Sequence, residues 1–346
     1  MYLNMPQATF QFSIEYRSIA ACPADVAVLR YARGFQGIEK TIKDCLVSRG
    51  VSENDIAPGD GEHCLVDSRG GIEAQQALYV GTVPIGLNQY QTIREFTARS
   101  LAILARETPA IRHVAMTIHG VGRGLDETEC ALAQLRGILH AIKQGTFPQA
   151  IERITICEIS EKRALRIQSR LAAYLSQAGF PAPQPNSEQW SVEIHHKIES
   201  PPASFQGLPA VSDDADQKPR AFVAMPFREE LDDIFFYGIQ HPIHQTGLLC
   251  ERVDQTVYTG DVLVHIKTRI EQAKVVIAEL TDASANVYLE VGYAWGRRIP
   301  TILLTQDSQA LRFDIRNQRC LVYRRIKDLE EILLRELSEL RKSGAL

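Results

Sequence analysis

The chain has 346 residues, 45% of them hydrophobic and 23% charged, with a formal net charge of −4. That length predicts two domains in an ordinary soluble globular protein, and the near-balanced charge gives no electrostatic case for binding nucleic acid. No apolar run approaches the ~20 residues of a bilayer span. The N-terminus also lacks the basic start and apolar core of a secretory signal, so the expectation is a cytoplasmic protein without membrane association.

The first seventy residues show no pattern that orders them into elements. Beyond them Ala77–Val83, Val114–Ile118 and Ile154–Cys157 read as strands. Thr92–Arg106 reads as a helix with Ile93, Phe96 and Ala105 on one face, and Glu127–Lys143 as another with Leu132, Leu135 and Leu139. Glu161–Ala178 is a third, ending at Gly179 as a C′ residue. Residues 1–199 are thus expected to form an α/β domain. Its notable run is IHGVGRGLD, from Ile118 to Asp126, between a strand and a helix. Glycines at 120, 122 and 124 let the backbone approach a ligand, and the helix N-terminus after them favours a phosphate or pyrophosphate. The candidate ligand loop is His119, Gly120, Gly122, Arg123 and Gly124. A tight strand-to-helix turn with Asp126 as N-cap explains the same run, and both readings stay open.

Seven dispersed cysteines form no C-x-x-C pair, which fits reduced structural thiols and argues against a structural zinc site. His195 and His196 are adjacent, and strand neighbours point to opposite faces. No metal and no cofactor is expected.

Residues 200–218 are rich in Pro, Ser and Asp and read as a linker. Beyond this linker, strands and helices alternate. Ala221–Met225, Leu248–Arg252, Val275–Leu280, Thr301–Thr305 and Cys320–Tyr323 are predicted strands. Helices are expected over Leu231–Thr246, interrupted or kinked at Pro242, over Val262–Ala273 and over Val287–Arg297. Leu329, Ile332, Leu333, Leu337 and Leu340 form the apolar stripe of a terminal helix. Five strands alternating with helices over 219–346 predict a flavodoxin-like, doubly wound parallel sheet.

Ligands of such sheets bind outside the carboxyl ends of the strands. That places Asp282, Asn286 and Glu290 where chemistry is expected. A carboxylate at Glu290 could attack the anomeric carbon of a ribosyl group or stabilise an oxocarbenium-like charge; an acid near a helix N-terminus also simply suits the macrodipole. Asp282 suits proton donation to a leaving base or a contact to ribose, or an Asx turn. Met225, Phe227 and Arg228 leave the first strand toward a helix, where Arg228 and backbone N–H groups could meet a phosphate. The run holds no glycine and is no dinucleotide fingerprint. Asp261 is a natural helix cap. Asp314 and Arg316 could touch ligand or lock their loop.

The motifs FVAMPF at the first strand, AKVVIAELT at the third and NVYLEVGYA after it occur in that order over about 125 residues. In them the C-terminal domain resembles the nucleoside 2-deoxyribosyltransferase superfamily and its nucleotide-binding relatives, which share their layout with TIR domains. The resemblance implies Glu290 as nucleophile, Asp282 near an acidic substrate-contacting position, and Phe222, Met225, Phe227, Arg228, Asp261 and Asn286 around the substrate. Two positions depart from it. The helix before the third strand reads His265-Ile-Lys-Thr-Arg269 where an Asp is usual, and Phe222 stands where Tyr is more frequent; both weigh against base exchange between deoxynucleosides. The segments LYVGTVPIG, IREFTARSLAIL and HVAMTIHGVGRGLDE resemble macro domains and the macro-like domain of leucine aminopeptidases. That implies an ADP-ribose-like ligand against Gly120, Gly122 and Gly124. The expected function is an N-glycosidase or ribosyltransferase acting on NAD or another nucleotide, as a homo-oligomeric effector in antiphage defence. A non-catalytic nucleotide sensor is the alternative, and a scaffold that only assembles with partners is a third reading.

Overall fold

The computed structural model describes residues 9–35, 37–82, 89–121, 124–177, 190–195, 215–253, 260–282, 285–307, 309 and 318–346. The chain divides into two compact units, Met1–Gly120 with Glu127–Pro202 and Val121–Asp126 with Ala203–Leu346. Each is built on its own sheet, and the protein is a two-domain α/β chain.

The first unit runs β1 (Thr9–Tyr16), β2 (Val26–Tyr31), α1 (Ile38–Ser48), β3 (His63–Asp67), β4 (Gln76–Gly81), α2 (Tyr90–Glu107), β5 (His113–Thr117), α3 (Glu127–Lys143), β6 (Arg153–Glu158), α4 (Glu161–Gln177) and β7 (Ser191–His195). Its seven-stranded sheet has the order β3-β4-β2-β5-β6-β1-β7. The five inner strands are parallel, and β3 and β7 run antiparallel along the two edges. Val26, Ala27, Val28 and Leu29 of β2 are all buried, as a parallel strand covered on both faces requires. The elements before Gly70, with β1 and β2 inside the sheet, and the edge strand β7 are those that the sequence pattern did not order. The expected strand to Val83 closes at Gly81, and Val83 lies outside the described residues.

The second unit runs β8 (Arg220–Ala224), a helix entering as a π-helix (Ile234–Gln240) and continuing as α5 (His241–Gln245), then β9 (Leu249–Glu251), α6 (Gly260–Gln272), β10 (Val275–Glu279), α7 (Ala285–Gly296), β11 (Thr301–Thr305), β12 (Cys320–Val322) and α8 (Ile326–Lys342). All five strands are parallel in the order β12-β11-β10-β8-β9. Numbered along the chain this is 2-1-3-4-5, the flavodoxin-like arrangement. Alternate strand residues feed two cores. Val223, Val275 and Ile277 pack with Ile239, Ile243, Leu329 and Leu333. Phe222, Val276 and Ala278 pack with Ile266, Ile270, Val287 and Val291.

Pro242 lies inside the first helix, and the backbone changes from π to α register at His241. A proline without an N–H removes one intrahelical bond, and the wider turns ahead of it accommodate that loss. The predicted linker extends too far: Ala215–Gln217 is a 3-10 turn and Lys218 is buried, while residues 196–214 lie outside the described set. Asp216 contributes its carbonyl to Arg220 Nη2, so the start of β8 is anchored by residues that composition assigned to a tether.

The segment Val121–Asp126 groups with the second unit. There the Asp126 Oδ2 lies 2.5 Å from His244 Nε2 and accepts from the backbone N–H of Cys250 at 3.1 Å. Gly124 has φ +94°, and a Cβ on it would stand 2.8 Å from Val253 Cγ2, so close packing alone requires glycine there. Among the described residues no helix is long and apolar enough to cross a membrane.

Candidate functional site

In the second unit β8 and β10 are neighbours, yet the chain leaves them toward opposite faces. The helix after β8 joins the core with α8, and α7, after β10, joins the core with α6. Their carboxyl ends are therefore the switch point of the sheet, where a crevice for ligand forms in open α/β folds. Two segments leave from it, Met225–Arg228 after β8 and Leu280–Asp282 after β10.

Glu290 sits on the inward stripe of α7 with Val287, Val291 and Ala294, and only 5% of it is exposed. α7 packs against β8, β10 and β11. A carboxylate on the sheet-facing stripe of a helix is not a packing choice. The helix starts at Ala285, so Asn286 belongs to its first turn and does not cap it. Asp282 is exposed and has φ +50°, a left-handed conformation that Asp tolerates better than most side chains. Ala283 and Ser284 lie outside the described residues.

Phe222 and Met225 are each 2% exposed and belong to the two apolar cores. A central parallel strand is covered on both faces, which accounts for their burial. Phe227 is half-buried and Arg228 exposed. The Arg252 guanidinium, after the end of β9, lies 3.9 Å from the Phe227 ring centre and 3.8 Å from that of Phe235, with Nη1 donating to Met225 Sδ at 3.5 Å. This cation beside the candidate crevice carried no sequence signal beyond its place after a strand. Asp261 falls in the first turn of α6, but its side chain is outside the described set, as are Asp314 and Arg316.

The stretch His265–Arg269 of α6, which holds no acid, has a different use for its basic residues. Arg269 and His265 are buried, and Arg269 Nη1 lies 3.5 Å from Glu251 Oε2 while Arg220 Nη1 lies 3.4 Å from Oε1. Two guanidiniums on one buried carboxylate tie α6 to β8 and β9.

Sequence reasoning passed over Glu279. It is the last residue of β10, fully buried, on the face opposite α7. Thr281 Oγ1 donates to its Oε1 at 2.6 Å, the Thr281 N–H reaches both oxygens at 3.2–3.3 Å, and Tyr323 Oη donates to Oε1 at 3.0 Å. Burial raises the Glu279 carboxyl above its ordinary range, opposed by the Thr281 and Tyr323 hydrogen bonds and the charge of Arg228. The available signal was an acid ending the apolar run VVIAEL.

In the first unit His119 follows β5, is 5% exposed and meets the Phe96 ring edge-on at 4.5 Å between centres. Its Nε2 has no hydrogen-bond partner among the described residues. Burial lowers its pKa to about 3, with Arg30 adding to the effect, so the ring is neutral at ordinary pH. Gly120 is buried with φ +90°; Gly122 and Arg123 lie outside the described residues. The first turn of α3 holds Glu127 and Glu129, paired with Arg166 at 3.0 Å and Arg136 at 2.7 Å. The helix end expected to favour an anion thus carries carboxylates of its own.

No family model and no curated protein matches the chain. Solved structures similar to about half of it are macrodomains. A macrodomain of Oceanobacillus iheyensis with MES bound is 15% identical with a TM-score of 0.37, covering 49% of this chain and 98% of that one. A Trypanosoma brucei macrodomain in complex with ADP-ribose is 16% identical with a TM-score of 0.36, covering 46% and 68%. The same organism's macrodomain in complex with ADP gives 14% and 0.38, with the same coverage. At these identities and scores the likeness assigns neither ligand nor activity to this chain.

Proposed function

We propose that the second unit cleaves the N-glycosidic bond of a nucleotide such as NAD, with Glu290 as the reacting carboxylate. The observation that carries the reading is the burial of Glu290 on the inward stripe of α7, the helix that follows the switch-point strand β10. In the first step a Glu290 oxygen bonds to the ribosyl anomeric carbon. The carbon–nitrogen bond breaks and its electron pair leaves with the base: the nicotinamide of NAD departs neutral and needs no proton, whereas a purine or pyrimidine base would take one from Asp282. Water then attacks the anomeric carbon of the ribosyl ester while its proton passes to Asp282, releasing the sugar and regenerating the Glu290 carboxylate, in the two-step logic of retaining glycosidases. Asn286, in the first turn of α7, would orient Glu290 or a ribose hydroxyl. Met225–Arg228 and Arg252 would meet the phosphate side of the substrate.

The first unit supports a second, binding role. His119, neutral and with an unpartnered Nε2 beside the left-handed Gly120, suits an ADP-ribose-like ligand that governs the second unit. An antiphage role and self-assembly belong to the same proposal and rest on the two-domain architecture alone.

The test is chromatography of a nucleotide mixture (NAD, NADP, ribo- and deoxynucleotides) after incubation with wild type or Glu290→Gln. Free base is expected from wild type only, with at least a hundredfold loss in the variant. Equal release from both would overturn the role of Glu290. No release, together with a nucleotide-dependent rise in melting temperature, would establish the sensor alternative, because a ligand of the native state must stabilise it.

A further inference from the structure

Asp282 directly follows Thr281 past the carboxyl end of β10, beside the candidate crevice, so whatever fixes Thr281 bears on Asp282. The Thr281 hydroxyl donates to Glu279 and accepts from the Gln306 backbone N–H at 2.9 Å, and its own N–H also points at the Glu279 carboxylate. Tyr323, just past β12, completes the ring of donors on Glu279 from two strands away. Four donors or acceptors from three strand ends thus converge on two side chains, and the next residue, Asp282, stands at φ +50°. Glu279 itself is fully buried and faces away from α7, so it touches neither Glu290 nor solvent-borne substrate.

We propose that Glu279 is a positioning residue, its carboxylate clamping Thr281 and so holding the adjoining Asp282 in the geometry that bond cleavage requires. The inference rests on the reading of Glu290 as the reacting group. It also makes Tyr323, forty-one residues beyond Asp282 in sequence, part of the catalytic apparatus without contact to substrate.

Glu279→Gln, Tyr323→Phe and Thr281→Val test it, the last two keeping the buried shape should the first fold poorly. Each is read for base release, melting temperature and hydrogen exchange of the Thr281 and Asp282 amides. A displacement near 1 Å at a reacting group lowers turnover on the order of a hundredfold. The expectation is therefore a 10- to 100-fold fall in kcat with KM within about twofold. Exchange at Thr281 and Asp282 should quicken while that of β11 is unchanged. Loss of activity that moves kcat and KM together with a general rise in exchange would assign Glu279 to plain structural support and overturn the proposal. Unchanged exchange at Thr281 and Asp282 in all three variants would do the same, whether or not base is released. Faster exchange confined to those amides in the variants, with no base release from wild type, would retain the clamp and sink the catalytic reading instead.

Discussion

Glu279 and Glu290 are both buried carboxylates of one unit, and they differ in how their positions can be read. At Glu279 burial dominates, and its pKa lies above the ordinary carboxylate value of about 4.3. In the unfolded chain it ionises near that value; in the folded protein ionisation is harder. Its contribution to stability is thus fully present below about pH 4 and falls as pH rises through the raised value. Two groups facing it do not titrate in this window: Tyr323 is pushed up, and the Cys320 thiol is raised to about 11 by burial. The melting-temperature advantage of wild type over Glu279→Gln should therefore be largest near pH 4 and shrink toward pH 8. A difference constant across that range would show that the carboxyl is not desolvated. Glu290 was legible in sequence because it lies on a helix stripe after a strand. Glu279 was not, since an acid closing an apolar run looks like a strand end until the loop beyond folds back onto it.

At the scale of elements, the parallel sheet of the second unit was readable to within one or two residues, because buried parallel strands such as VVIAE are short continuous apolar runs between turns. The first unit was readable only from β4 to α4, and neither the elements before β4 nor the edge strand β7 was read. β1 alternates, with Phe10, Phe12 and Ile14 buried, but its neighbours in the sheet are β6 and β7, far along the chain, and no local pattern announces such pairing. The π-helix was likewise invisible: Pro242 predicts an interruption, not the register that absorbs it. Its consequence is measurable at Gly238, where a Cβ would stand 2.6 Å from Leu329 Cδ2 and 3.1 Å from Cγ. Leu329 is wholly buried in the core that also holds Leu333 and Leu337. Overpacking costs about 1–3 kcal/mol, against about 0.5–1 kcal/mol gained by replacing glycine in a helix. Gly238→Ala should be net destabilising by about 1 kcal/mol in urea denaturation, and a more stable variant would show that the π-helix and α8 are loosely packed.

On the scale of the whole molecule, a cut at the linker does not separate two complete units, because six residues of the second lie between β5 and α3. Composition could not show this, since Asp126 looks like a helix cap from its neighbours alone. In the folded chain its Oδ2 serves the buried His244 and the Cys250 N–H. Removing that carboxylate strands two buried polar groups, at a cost of about 1–3 kcal/mol each. Asp126→Ala should therefore speed hydrogen exchange in peptides from α5 and β9, elements far from residue 126 in sequence. Asp126→Asn, whose amide oxygen still accepts from Cys250, should lose less. A fragment beginning at Ala215 lacks Asp126 altogether and should match Asp126→Ala in the protection of β9. Full protection of β9 in that fragment would mean that the second unit holds its sheet without the borrowed residues, and that Asp126 is dispensable to it.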